Sequence, residues 1–304
     1  MSVCDVQGTE RRSSPVISII IPTLNEEKTI GALLNYLHQI CLGAELIVVD
    51  GGSTDSTTTI AAQKARVLNS PPGRAHQMNC GAQAASAPVL WFIHADCWID
   101  PNAFDQLREA LSSPDIIGGG LALEFDYHTR GLDYLAWSST RRARYLHQIF
   151  GDQALFVRRS VFEQLGGFPE LPIMEDLEFS RRLTRQGRLV VLPAVSIASS
   201  RRFLEHGTWS MIVFMQLLKG CYFLGVQPTN IARWYQRGPF WTSLIPTKKR
   251  SRKVTQPTLS IDIQERHDHS QNNFGRTVIE QNRDHEHPTT EQADPVRRDL
   301  WQHD

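Results

Sequence analysis

The sequence has few cysteines, no excess charge of either sign and no long uninterrupted apolar run. Its five cysteines, Cys4, Cys41, Cys80, Cys97 and Cys221, are scattered without a Cys-x-x-Cys spacing. That argues against a disulfide framework or a thiolate zinc site and fits a reducing, cytosolic setting. Thirty-two Lys and Arg balance thirty-two Asp and Glu, so the global electrostatic footprint of a nucleic-acid binder is missing. Residues 1–15 are polar, lack the apolar core of a signal peptide and are expected to be disordered. What remains is a chain of 304 residues, 41% apolar, with enough material for a sizeable core.

The neutral total conceals two kinds of sequence. Residues 247–304 hold ten basic and ten acidic side chains among Gln, Asn, His, Thr and Pro, with almost no apolar periodicity. Such a segment buries too little surface to offset its ordering entropy and is expected to be a disordered tail. Its histidines, His267, His269, His285, His287 and His303, show no spacing that defines a metal site.

Upstream of the tail, short β-branched runs alternate with helical spacing. Residues 16–21, 46–49, 65–68 and 89–93 read as strands. Ile30, Leu33, Leu34, Leu37 and Ile40 recur at helical spacing, and an Ala-rich helix is expected over about residues 74–85. This alternation predicts an α/β fold with a doubly wound, mainly parallel sheet and flanking helices. In such sheets ligands bind beyond the carboxyl ends of the strands. The polar residues where each run stops therefore matter most: Thr23, Asn25 and Glu26, then Asp50 and Asp55, then Asp96. Helix capping and turn formation are open to all of them, and capping is the expected role of Ser53, Thr54 and Asp55.

The second half is less regular. Residues 116–125, with Gly118-Gly-Gly120, read as a strand whose backbone is approached closely. Residues 154–157 and 189–192 read as further strands, the latter being the last. Gly166-Gly-Phe-Pro169 is a turn, and a helix opens at Glu175-Asp176. Residues 209–226 are apolar but interrupted by Gln216 and Lys219, which disfavours a full membrane crossing. Two uses stay open for this C-terminal apolar helix. One is an interfacial helix flanked by Trp209 and Trp234 and followed by Lys248, Lys249, Arg250, Arg252 and Lys253; the other is a helix packed on the preceding domain.

Acids at strand ends, a Gly-rich segment and a later Glu-Asp pair suit an anionic ligand held through a divalent metal, with a carboxylate nearby to take a proton. Four motifs carry a resemblance: Pro22-Thr-Leu-Asn-Glu26, Val48-Val-Asp50-Gly-Gly-Ser-Thr-Asp55, His94-Ala-Asp96, and Gly166-Gly-Phe168 with Glu175-Asp176. In order and spacing they resemble family 2 glycosyltransferases of the GT-A fold, over about residues 16–235. Pro72-Gly-Arg-Ala75, Gln77-Met-Asn79, Gly151-Asp-Gln153 and Ser200-Arg-Arg202 are most similar to a branch of radical-SAM/selenodomain-associated transferases and carotenoid-acid glucosyltransferase-like proteins. The organisation expected is a GT-A domain over residues 16–205, an apolar helical segment over 206–246 for which membrane association stays open, and the tail.

The resemblance implies a nucleotide-diphospho-sugar donor, expected to be a UDP-hexose, and a small or lipidic hydroxyl or carboxyl acceptor. Thr23, Asn25 and Glu26 would line the nucleotide pocket, Asp50 would reach the base or ribose, and Arg74 would lie near the donor. Arg201 and Arg202 would neutralise the leaving diphosphate. Asp96 occupies the last position of the family's metal-binding Asp-X-Asp triplet and would hold Mg²⁺ or Mn²⁺. His94, at the first position, departs from that pattern; metal ligation, a hydrogen bond to the ribose and simple packing all stay open. Asp176 aligns with the catalytic base of an inverting transfer, and Glu175 with a supporting or acceptor-binding acid. Gln227 and Arg233-Trp234 lack the Gln-X-X-Arg-Trp spacing of processive members, so a single transfer is expected. Two rivals are a sugar nucleotidyltransferase, whose Gly-rich basic loop after the first strand is missing here, and a non-catalytic membrane-docked scaffold. The location implied is cytoplasmic, or peripheral on the cytoplasmic face of the membrane.

Overall fold

The first apolar run forms β1 (Ile17–Thr23), buried along its whole length, as a mainly β-branched run, broken only by Ser18 before Pro22, does when both faces are covered. The structure, a computed structural model, describes residues 16–239. The segments expected to be disordered, 1–15 and 247–304, lie outside the described residues, as do the basic run and the end of the 206–246 segment. After β1 come α1 (Ile30–Ile40), β2 (Glu45–Asp50), α2 (Thr57–Ala61), β3 (Arg66–Asn69), α3 (Arg74–Ala84) and β4 (Val89–Phe92). β3, β2, β1 and β4 lie side by side and pair in parallel, the alternating half that the sequence predicts.

The remainder is mixed. β5 (Cys97–Ile99), α4 (Ala103–Ser112), β6 (Ile116–Phe125) and α5 (Arg130–Leu146) lead to a 3₁₀ turn at Gly151–Gln153. β7 (Phe156–Arg158), α6 (Arg159–Gln164), α7 (Glu175–Leu183) and β8 (Arg188–Ala198) follow, and α8 (Arg201–His206), α9 (Thr208–Phe223) and α10 (Pro228–Arg237) close the described chain. The eight-stranded sheet has the order β3-β2-β1-β4-β7-β6-β8-β5. β7 runs antiparallel between β4 and β6, β6 and β8 are parallel, and β5 is antiparallel to β8.

Two strands differ from their sequence expectation for local reasons. β8 does not stop at Leu192. Its pairing with β6 jumps from Leu121↔Leu192 to Ala122↔Val195, so Pro193, which has no N–H to give, sits in a bulge and the strand continues. β7 begins at Phe156 because Ala154 adopts a left-handed backbone, φ 46°. The close approach expected at Gly118-Gly-Gly120 is present. A Cβ on Gly119 would stand 2.0 Å from the Val190 carbonyl oxygen.

β1 alternates its side chains between two cores. Ile19 and Ile21 pack with Leu33, Leu34 and Leu37 of α1, while Ile20 packs with Met78, Phe92 and Phe179 on the other face. A third cluster joins Leu123 and Phe125 of β6 to Leu132 of α5, Phe203, Met211, Phe214 and Ile231. One side of α9 is therefore packed against the sheet unit, while Trp209, Val213 and Leu217 on its other side are exposed. Among the described residues no helix is long and apolar enough to cross a membrane.

Candidate functional site at the carboxyl end of the sheet

The loops that follow β1 and β2 are tied together by side chains. Asn25, with φ 55°, accepts from the Thr54 amide at 2.9 Å, and its own amide donates to Ser53 Oγ at 2.8 Å. Asp50 is 3% exposed. Its Oδ2 accepts from the amides of Gly52 and Ser53, and its Oδ1 from the Ser53 hydroxyl. Asp55 accepts from the Thr57 amide two residues on, but the N-cap of α2 is Ser56, and Ser53 and Thr54, for which capping is also expected, bond to Asp50 and Asn25 instead, because the β1 and β2 loops draw them together. The buried Thr23 hydroxyl donates to the Val49 carbonyl at 3.3 Å. Thr23 and Asp50 thus direct their polar atoms into the loops, and Asn25 bridges them. Gln77, from α3, donates to the Thr23 and Val49 carbonyls at 2.7 and 2.9 Å and staples both strand ends.

Glu26 lies at the rim. One oxygen accepts from Thr29 Oγ1 at 2.9 Å and the other is 4.0 Å from Arg201 Nη2. Burial raises its pKa, and the nearby Asp96 adds to the rise. Arg202 points elsewhere: its guanidinium lies 4.1 Å over the Tyr235 ring. The two arginines of the Ser200-Arg-Arg202 motif are therefore split between different partners.

Beyond β4 the chain makes a tight turn in which His94, Asp96 and Cys97 bring one ligand atom each within 4.8 Å of one another. Burial, with the positive charge of Arg74, holds His94 below its ordinary pKa, so its imidazole is neutral and keeps a lone pair to give. Burial and Asp96 push the Cys97 thiol well up. A carboxylate with a neutral imidazole fits a divalent cation that accepts mixed oxygen and nitrogen donors, Mn²⁺ more readily than Mg²⁺.

Facing this turn is the start of α7. Asp176 Oδ2 accepts from the Gly151 amide at 2.9 Å, and Oδ1 from the Leu177 amide at 2.7 Å. Gly151 is the spacer between them. A Cβ there would stand 2.6 Å from His94 Cε1 and 3.6 Å from Asp176 Oδ2, so no larger residue fits without moving the imidazole. Glu175 is 2% exposed and pairs with Arg74 Nε at 2.9 Å, while its Oε2 is buried without a hydrogen-bond partner. Burial lifts its pKa to about 7 against the pull of Arg74, with Asp176 adding to the rise. Arg74 from α3, His94 from the turn after β4, and Glu175 and Asp176 from the start of α7 thus converge from three separate segments.

The sequence reading missed the other side of this cluster. Asp152, inside the Gly151-Asp-Gln153 motif, buries Oδ1 without a partner. Arg142 stacks 3.8 Å over the Phe150 ring, and Lys219 Nζ lies 5.4 Å from the same ring. Burial pushes the lysine down to about 8, helped by Arg142. Burial also lifts Asp152 to about 6, against the pull of Arg142 and with Asp176 adding to the rise. The folded state therefore holds the Asp152 proton more tightly than the unfolded chain does. Stability linked to that proton is full below about pH 4 and is lost as the pH rises through about 6. Asp152→Asn is expected to melt with the wild type near pH 4 and several degrees above it at neutral pH, measured by circular dichroism melts across that range.

Strand-end loops, an acid turn after β4 and an acidic helix start thus lie together at the carboxyl edge of the sheet. The profile of glycosyl transferase family 2 matches residues 18–166. A PGL/p-HBAD biosynthesis glycosyltransferase of Mycobacterium bovis BCG is 30% identical over 230 residues, which cover 68% of this chain and 84% of that protein. The chain belongs to glycosyl transferase family 2. It is also similar to glycosyltransferase AglE of Haloferax volcanii, 28% identical over 192 residues covering 57% of this chain and 62% of the relative. The chain thus spans less than two thirds of AglE's length. Among solved structures, mannosyltransferase PcManGT of Pyrobaculum calidifontis, in complex with GDP-Man and Mn²⁺, superposes with a TM-score of 0.50 at 21% identity, covering 68% of this chain and 63% of that one. That likeness establishes the GT-A fold.

Asp152 stands in a quoted motif but on no periodic element. Arg142 sits beside Arg141 in a charged stretch that reads as surface, and Lys219 reads as a mere interruption of an apolar run. Cys97 follows Asp96 directly, yet nothing in its spacing marks it as part of the turn.

Proposed function

We propose that this chain is an inverting, metal-dependent glycosyltransferase that moves a sugar, a UDP-linked hexose, to a hydroxyl or carboxyl acceptor. The observation that carries it is the convergence of Asp176, Gly151 and His94, with Asp176 held by two backbone amides at the start of α7. Each oxygen of a carboxylate with one accepted bond retains a lone pair for a further proton. Asp176 accepts the proton of the acceptor hydroxyl as the acceptor oxygen forms its bond to the sugar C1. The bond from C1 to the diphosphate breaks on the opposite face, the nucleoside diphosphate departs with the electron pair, and the anomeric carbon inverts.

Asp96 and His94 would hold the divalent cation, Mn²⁺ or Mg²⁺, whose charge offsets that of the leaving diphosphate. Arg74, tied to Glu175, orients the helix start beside the donor. Thr23 and Asp50 act through the shape of the loops that receive the nucleotide, while Asn25 and Glu26 face it at the rim. Arg201 stands nearer this rim than Arg202, whose guanidinium is engaged with Tyr235. The acceptor is small or lipidic, and the protein works on the cytoplasmic side, in peripheral contact with the membrane.

Isothermal titration calorimetry with Mn²⁺ and a panel of UDP- and GDP-sugars tests this. One donor is expected to bind, with affinity lost on chelation and reduced at least about tenfold by Asp96→Asn. Absence of binding by every donor would refute the proposal.

A further inference from the structure

The outer sides of α5 and α9 carry a continuous band of exposed rings. Trp137 and Trp209 are each 57% exposed, and Tyr134 lies between them, its ring centroid 6.0 Å from Trp137 and 6.2 Å from Trp209. Arg141 spans the next two positions of the band, 5.5 Å over Trp137 and 5.2 Å over the exposed Tyr145. On α9 the band continues as Val213 and Leu217, one turn apart along the helix, and just past its end as Leu224, which is 86% exposed. Large contiguous apolar surface on a folded chain marks a contact with something else.

The charges on these helices select the partner. α9 contains no Asp or Glu, and the outer side of α5 presents Arg141 and Arg144 against the single acid Asp133. A second copy of this chain, docked about a two-fold axis, would set these arginines against one another. An anionic headgroup layer complements them. The residue types agree, because Trp and Tyr settle at the boundary between headgroups and acyl chains, where one end of the ring is apolar and the other wet.

We propose that the outer faces of α5 and α9 dock on an anionic lipid bilayer, with Tyr134, Trp137, Tyr145 and Trp209 in the headgroup layer and Arg141 and Arg144 on its phosphates. The inner sides of the same two helices carry Arg142 and Lys219, which flank Phe150 beside Asp152. Docking therefore brings the edge of the acid cluster to the lipid surface. On the transferase reading, a lipid-borne acceptor then reaches Asp176 without leaving the bilayer. The docking itself does not depend on that reading.

Co-sedimentation of the full chain with phosphatidylcholine vesicles, with and without phosphatidylglycerol, tests the surface without any turnover. The wild type is expected to bind the phosphatidylglycerol vesicles and to be released by salt. The double variant Trp137→Ser/Trp209→Ser is expected to bind about tenfold less tightly, and Arg141→Glu/Arg144→Glu to lose the preference for phosphatidylglycerol. Melting curves and donor titrations of both variants should match the wild type, since these side chains are exposed and lie outside the acid cluster. Three results would overturn the proposal: no binding by the wild type, wild-type binding by the double tryptophan variant, or a solution dimer that this variant dissociates. Donor binding is read separately, so a failure here leaves the transferase proposal standing, and the reverse holds.

Discussion

Asp176→Asn is expected to bind the nucleotide sugar as the wild type does and to transfer it about 10³-fold more slowly, the scale of a lost general base. The substitution keeps the shape of the side chain and removes its capacity to take a proton. It carries a local cost as well. Both carboxylate oxygens accept from backbone amides, of Gly151 and Leu177, and an amide side chain offers only one acceptor, so one bond is lost at about 1 kcal/mol. That is too little to unfold the chain. Glu175 cannot stand in for the missing base, because it is buried against Arg74. Single-turnover transfer measured beside donor calorimetry separates the two effects. Unchanged turnover would remove Asp176 from the reaction, and lost donor affinity would make it a binding residue instead.

The largest expected effect on stability is Gly119→Ala. In the middle of β6, between Phe156 of β7 and Val190 of β8, the added Cβ would meet the Val190 carbonyl oxygen at 2.0 Å and Phe156 Cζ at 2.7 Å. A flexible side chain can step aside, but a carbonyl within a paired strand cannot without breaking its register. Overpacking of this kind costs about 3 kcal/mol or more, a large part of the 5–15 kcal/mol or so that holds a typical domain together. A fall in melting temperature of about 10 °C or more, or failure to fold, is the expected result by circular dichroism. Gly220→Ala is the control. Nothing lies within 4 Å of its Cβ position in α9, and Ala is the better helix former by about 1 kcal/mol, so its melting temperature should hold or rise. Equal stabilities for the two variants would show that the close approach at Gly119 yields cheaply.

Much of the first half was legible because its signals are local. A strand buried on both faces is apolar along its middle, and β1, β2 and β4 are so over residues 19–21, 46–49 and 89–92. The strand ends are marked by the polar residues that stop each run, and the helix start at Glu175-Asp176 by acids that suit the positive end of a helix. α4 and α5 were not legible in the same way. On α5 the exposed face carries Tyr134, Trp137 and Tyr145, which blurs the contrast between a buried and a solvated side on which periodicity depends. β5 is three residues long, too short to show alternation.

Side-chain direction was the other thing hidden. Arg141 and Arg142 are neighbours in sequence and read alike, yet one lies across an outer aromatic band and the other stacks on Phe150 beside the acid cluster. Successive helical residues point about 100° apart, and only the packing of α5 on the sheet decides which of the two turns inward. The same holds at the strand ends. Thr23, Asn25 and Asp50 were placed correctly at the carboxyl edge, but their polar atoms are spent on tying two loops together.

By itself, the sequence determined the alternation of strand and helix, the carboxyl edge where polar residues gather, and a neutral total that excludes a globally basic surface. Each of these depends on residues near one another along the chain. The tertiary structure alone decided that β7 enters antiparallel between β4 and β6, that Arg74 reaches Glu175, and that Gly151 leaves room for His94 against Asp176. These contacts join segments far apart in sequence. Their closure is set by how whole layers pack, which no local pattern of residues encodes.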